Sequence, residues 1–297
     1  MRGFTLVGTL AWLLSCSTSY AKWVRISDWG ENPTHLDLDA YIPAELEDKP
    51  AVLLALHYCG GSGKAYHAVA NFDAYAEAKG FIVAYPSTKM DDSCWDVNSN
   101  KSLTVDGGGD STGLANMMRY FIKAYNADPM RIYVQGTSSG CMMTNVLLAT
   151  YPDIFMAGSC YSGVPAGCLA GSPGSSPQSA DSKCANGQNI KTGEEWAEIV
   201  RAMNPRWNGV YPRLQTFHGD GDEFVSYRNL QEQLKQWSTV QGVKFTKNVT
   251  DTPQGGYTQM LYGDGGYLVG ISAHKVGHVV PVNRDADIMW FNLGSGT

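Results

Sequence analysis

Gly136-Thr137-Ser138-Ser139-Gly140 is a G-x-S-x-G pentapeptide set between "RIYVQG", which reads as a strand, and "SGCMMTNVLLATYP", which reads as a helix. At such a junction the pattern lifts a serine hydroxyl above the carboxyl ends of a sheet, and the glycines let neighbouring backbones close on the turn. A plain turn with a helix N-cap uses similar residues, so the rest of the chain has to decide. A serine hydroxyl needs a base, and the base needs an orienting acid. On a sheet of this kind they follow in the order serine, acid, histidine. Among the histidines, His57 and His67 precede the serine, His218 ends a strand before "GDGDEFV", and His274 and His278 lie in "SAHKVGHVVP". The acid should leave the tip of the next-to-last strand, which leaves Asp220, Asp222 and Glu223. Asp222 is preferred, because Gly219 and Gly221 let the chain turn and Val225 can re-enter the core; Asp220 is the runner-up. His278, held between Gly277 and an apolar stretch, is the expected base, whereas His274 beside Lys275 reads as an exposed loop residue. Acyl transfer also needs donors for a developing oxyanion. The expected ones are the backbone N–H groups of Ser139 and of Cys59, where Gly60 and Gly61 in "LHYCGGSG" allow close approach.

The elements that must position these groups alternate at short intervals. "VLLALH" is an apolar run of the kind a buried parallel strand shows. "AYHAVANFDAYAEAKG" has helical spacing and ends on Gly80, "FIVAYP" is a strand, and "STGLANMMRYFIKAYNA" is an amphipathic helix with Asp110 or Ser111 as its expected cap. After the nucleophile helix come the strand "MAGSCYSGV" and, between Pro165 and Pro212, a long Gly/Ser/Pro-rich stretch without a period, bracketed by Cys168 and Cys184 and read as a stapled lid. "RLQTFHG", "TQMLYG" and "LVGISA" read as strands, "NLQEQLKQWSTV" as a helix, and "DADIMWF" as a short last helix. The pattern predicts an α/β fold with a mostly parallel sheet covered by helices.

Composition sets the context. The 297 residues are 43% apolar and 17% charged, with a formal net charge of −6; that balance argues against nucleic acid or an anionic membrane as partner. Residues 1–21 read as a signal peptide, with Arg2, a short apolar core from Phe4 to Leu14, and small residues Ser19 and Ala21 before the cut. The mature chain, 22–297, is then expected to be secreted and to form a single domain. Six cysteines remain in an oxidising compartment, where disulfides are favoured over metal ligation and where a cysteine nucleophile would be disarmed. Asn100-Lys-Ser and Asn248-Val-Thr are glycosylation candidates.

With these residues assembled, the chain resembles the fungal secreted carbohydrate esterases that include type B feruloyl esterases and acetylxylan esterases, kin to polyhydroxybutyrate depolymerases. The resemblance covers nearly the whole mature chain: "NPTHLDLDAYIP", "LHYCGG", "CWDV", "GGGDSTGLANM", "GTSSGCMMTNV", "YSGVPAGC", "HGDGD" and "HKVGHVVP". It implies an α/β-hydrolase fold, the same Ser138, Asp222 and His278, and the same Cys59 and Ser139 amides. It also implies Cys59–Cys94 and Cys168–Cys184 bridges. Cys141 and Cys160 stand where relatives carry small residues; one follows the serine and the other ends the next strand, so a third bridge is predicted. No metal or organic cofactor is implied, and the expected partner is plant cell-wall polysaccharide ester, met by a monomer. The acetylxylan branch places a bulky tryptophan shortly before the second lid cysteine; here Ala180 and Asp181 leave room for an aromatic acyl group. The resemblance therefore implies release of ferulic acid from feruloylated arabinoxylan, with acetate release from xylan as the alternative and a polyester depolymerase behind both.

Overall fold

The computed structural model describes residues 20–293, so the expected signal peptide, apart from Tyr20 and Ala21, lies outside the described residues. Ten strands form one sheet in the order β1-β2-β4-β3-β5-β6-β7-β10-β9-β8. They are β1 (Lys22–Ile26), β2 (Asp37–Ile42), β3 (Val52–Leu56), β4 (Ile82–Ser87), β5 (Ile132–Thr137), β6 (Ala157–Tyr161), β7 (Arg213–Gly219), β8 (Phe245–Thr250), β9 (Tyr257–Tyr262) and β10 (Leu268–Ala273). The central six, β4-β3-β5-β6-β7-β10, are parallel, and antiparallel strands flank them on both sides. β3, β5 and β6 are buried along their whole length. That is why none of them alternates apolar with polar residues along its length. This is the α/β-hydrolase arrangement.

Helices cover both faces. α1 (Gly63–Ala70), α2 (Asp73–Lys79) and α8 (Arg284–Trp290) pack on one side. On the other lie α3 (Asp110–Ala124), α4 (Ser139–Thr150), α6 (Gly193–Met203) and α7 (Arg228–Gln241). A short α5 (Ser182–Ala185) sits in the lid. All twelve residues of α4 are buried, because the sheet covers one of its sides and α3 and α6 press on others. A helix hydrophobic all round belongs in such a place.

Several expectations are corrected. The helical run before Gly80 is two helices: Asn71, at φ +42°, ends α1, and α2 restarts after buried Phe72. Neither Asp110 nor Ser111 caps α3; the cap is Gly109, where a Cβ would lie 2.2 Å from Ser102 Oγ. That hydroxyl takes up the Asp110 N–H instead, at 2.8 Å. The stretch 165–212 is not aperiodic throughout. α6 begins at a capping box of Thr192 and Glu195 and buries Trp196, Ala197, Val200 and Met203 in one stripe. Beyond the expected elements lie the edge strands β1 and β8 and, between β1 and β4, β2; β8 is mostly exposed and has no apolar face to announce it.

Candidate active site

The elbow after β5 is closed by its glycines. Ser138 stands at φ +56°, ψ −117°, a strained conformation for a residue with a side chain. Its N–H donates to Tyr161 O on β6 at 2.7 Å. A Cβ on Gly136 would lie 2.3 Å from the Gly140 carbonyl, and one on Gly140 would lie 2.1 Å from Leu56 O at the end of β3. The first turn of α4 thus presses against the ends of both strands. The two serines have separate tasks. Ser139 is buried, and its Oγ accepts the Trp95 N–H at 2.8 Å, which anchors the "CWDV" segment to the elbow. Ser138 alone turns its hydroxyl outward.

That hydroxyl lies 2.8 Å from His278 Nε2, and His278 Nδ1 lies 2.8 Å from Asp222 Oδ2. The sheet brings these groups together through β7 and β10, which run side by side and parallel with Ser272 opposite His218. Beyond their ends the two loops are sewn backbone to backbone. Asp220 N–H donates to Ala273 O and Gly221 N–H to Val276 O, both at 3.0 Å. Gly219 is required there, since a Cβ would meet Val276 O at 2.2 Å. Asp220 and His274 form their own pair, 2.8 Å apart on the outside, and Asp220 also accepts the Lys275 N–H. The runner-up acid therefore serves the other histidine. Glu223 is exposed.

The Asp222 carboxylate is fully used. Oδ1 accepts the N–H groups of Phe224 and Val225 at 2.9 and 2.8 Å, and Oδ2 faces both His278 and His218 Nε2, the latter at 3.1 Å. Burial alone would raise its pKa; the hydrogen bonds from His218, His278 and Val225 outweigh burial and hold the carboxyl well below the usual range. His218, which has no role from sequence alone, lies under this carboxylate. It is fully buried, its Nε2 also lies 2.8 Å from Val225 O, and its Nδ1 has no partner among the described residues. Its spacing of four from Asp222 was the available signal.

The loop after β3 lies against the elbow, where a Cβ on Gly140 would be 2.8 Å from His57 O. Gly60 N–H is taken by Asp92 O and Gly61 N–H by Tyr58 O. The N–H groups of Cys59 and Ser139 have no acceptor among the described residues. His57 holds this loop in shape: its Nδ1 donates to Tyr58 O at 2.8 Å, its Nε2 accepts the Thr88 N–H at 3.3 Å, and its own carbonyl accepts the Trp95 indole N–H at 2.8 Å. Burial lowers the His57 pKa from 6.5 to about 4, against an opposing contribution from the Tyr58 carbonyl. The Cys59–Cys94 disulfide closes the loop from the other side, and the Cys141–Cys160 and Cys168–Cys184 bridges are also formed.

The lid is fastened at both ends. Asp91 accepts the N–H groups of Ser175 and Ser176 and the Ser179 hydroxyl, while Ser226 N–H donates to Ala185 O at 2.7 Å. It thus bridges the Cys94 loop and the Asp222 loop. Ala180 is half-buried against the core. Trp196 is fully buried with its indole N–H on Glu232, and Trp207 packs against the same core. A hydroxyl, an imidazole and a carboxylate in hydrogen-bonded series, beside unpaired amide donors, have the chemistry of acyl transfer.

The sequence profile of the family Esterase PHB depolymerase matches residues 36–242. Feruloyl esterase B of Talaromyces funiculosus is 42% identical over 98% of this chain and 82% of its own length. Acetylxylan esterase A of Emericella nidulans is also 42% identical, over 91% of this chain and 89% of its own. An acetyl xylan esterase from Aspergillus awamori superposes with a TM-score of 0.86 at 40% identity, covering 92% of this chain and all of that one.

Proposed function

Since the chain belongs to the Esterase PHB depolymerase family, among its secreted fungal feruloyl and acetylxylan esterases, we propose that it deacylates plant cell-wall xylan, releasing ferulic acid from feruloylated arabinoxylan. The observation that carries the reading is the unbroken series Ser138 Oγ, His278 Nε2, His278 Nδ1, Asp222 Oδ2, with 2.8 Å at each hydrogen bond. Ser138 attacks the ester carbonyl while His278 takes its proton, and Asp222 stabilises the imidazolium. The N–H groups of Cys59 and Ser139 receive the negative charge on the carbonyl oxygen. His278 then returns its proton to the leaving sugar oxygen, and water repeats the sequence on the acyl-enzyme.

The lid supports the choice of acyl group. Ala180 is half-buried and Asp181 exposed at the positions before the second lid cysteine, while Trp196 is held in the core and Trp207 packs against it, which supports room for an aromatic acyl group. Acetate release is the second reading, supported by acetylxylan esterases as similar as the feruloyl ones. The mature enzyme is proposed to be a monomeric single domain, 22–297, without its leader 1–21, carrying glycans at the exposed Asn100 and Asn248.

The test is a side-by-side rate measurement on methyl ferulate, acetylated xylan and a polyhydroxybutyrate film, with Ser138→Ala as control. The wild type is expected to prefer the ferulate ester. The variant should fold normally and lose about 10³-fold or more in kcat. A variant with near-native activity would remove Ser138 from the mechanism; a preference for acetate or polyester would replace the substrate.

A further inference from the structure

Phe224 is 77% exposed, an unusual place for a phenylalanine, yet it is not loose. Its N–H is bound at 2.9 Å by the same Asp222 oxygen that takes Val225. Its ring centroid stands 5.7 Å from that of His278, tilted by 52°. Val279, next to the imidazole, is exposed to the same degree. Single exposed apolar residues are ordinary. The backbone N–H of this one is bound by the carboxylate that orients the base, which places the start of its side chain beside the imidazole.

The proton's path says which half of the substrate meets it. His278 must give its proton to the leaving oxygen, so that oxygen lies within about 3 Å of Nε2. The group bonded to that oxygen therefore sits beside the imidazole, whereas the carbonyl oxygen goes to the amides of Cys59 and Ser139. On the proposed reading the leaving group is a sugar, whose ring has one face of C–H bonds, and such a face packs on an aromatic ring. We propose that Phe224 is the platform for the sugar of the leaving alcohol, and that it sets the enzyme's preference for saccharide esters over simple alkyl esters. The inference rests on the reading of the substrate as an esterified sugar, whichever acyl group it carries.

A competing role is available. Phe224 could only shield the His278–Asp222 hydrogen bond from water, and a shield serves every ester alike. The experiment compares esters that share an acyl group: feruloylated arabinoxylo-oligosaccharide with methyl ferulate, and acetylated xylo-oligosaccharide with ethyl acetate. The readout is the ratio of kcat/KM, saccharide over alkyl, for wild type, Phe224→Ala and Phe224→Tyr. Phe224→Ala should lower the ratio by about tenfold, mainly through KM, the loss of roughly half a ring's apolar burial. Phe224→Tyr should restore it. An unchanged ratio overturns the platform. So does an equal fall on both esters with a displaced pH profile, the mark of a shield. A wild-type enzyme that cleaves the alkyl esters and neither saccharide ester fails earlier, overturning the substrate reading and this one with it.

Discussion

His57 makes the acid stability of this enzyme calculable. It is fully buried at the end of β3, with one nitrogen donating to Tyr58 O and the other accepting from Thr88, so a second proton has no acceptor to face. Folded His57 stays neutral down to about pH 4, while the unfolded side chain takes up a proton near the usual 6.5. Below pH 6.5 the unfolded state therefore binds the extra proton, and stability falls as pH falls. The slope approaches about 1.4 kcal/mol per pH unit, and the loss reaches roughly 3 kcal/mol by pH 4. Other buried groups work the opposite way: Asp110 and Asp287 are raised by burial to about 6 and about 7, and both favour the folded state as pH falls. Comparison of the wild type with His57→Gln isolates the imidazole, because the remaining groups are common to both. The assay is equilibrium unfolding in urea at pH 4, 5, 6 and 7, disulfides intact, followed by tryptophan fluorescence. The wild type should lose roughly 3 kcal/mol more than the variant between pH 7 and pH 4. Parallel curves for the two proteins would refute the buried neutral imidazole, and with it the account of how the Cys59 loop is held.

Two further outcomes follow from close packing and from burial. Gly140→Ala would set a methyl 2.1 Å from Leu56 O, a backbone atom fixed in the sheet; a loss of about 3 kcal/mol and of most activity is expected, and a Tm and rate equal to wild type would show that the elbow has room. Asp287 is fully buried, with Ser159, Tyr161 and Gln215 all on Oδ1 and no partner on Oδ2 among the described residues. Its folded carboxyl keeps a proton that the unfolded one releases above 3.8, so stability should fall by about 4 kcal/mol as pH rises from 3.8 to 7 and level off above. Asp287→Asn should lack that slope; urea titrations that keep it would assign the proton elsewhere.

Much of the fold was legible because parallel strands buried on both faces write themselves as short apolar runs, and helices between them as amphipathic ones. Where burial is one-sided or absent, the signal fades. β8, exposed along most of its length, carried none. α6 was hidden by its surroundings, although Thr192 and Glu195 marked its start. The serine elbow could be read from five residues because its conformation is a local matter of glycines, a strand end and a helix start.

What the sequence determined by itself was the inventory: a serine turn, candidate carboxylates and then histidines in the right order after it, and cysteines in number for three bridges. Which acid meets which base was a matter for the tertiary structure. Glycines and the apolar stretch after His278 favour Asp222 with His278 along the chain, with Asp220 as runner-up. The pairs are made because β7 and β10 lie in one register and their loops share backbone hydrogen bonds. The same holds for Phe224 beside the imidazole. Periodicity and turn chemistry act over a few residues, so the chain displays them. Contacts across more than fifty residues depend on how strands align and how closely loops approach, and only the folded sheet sets that.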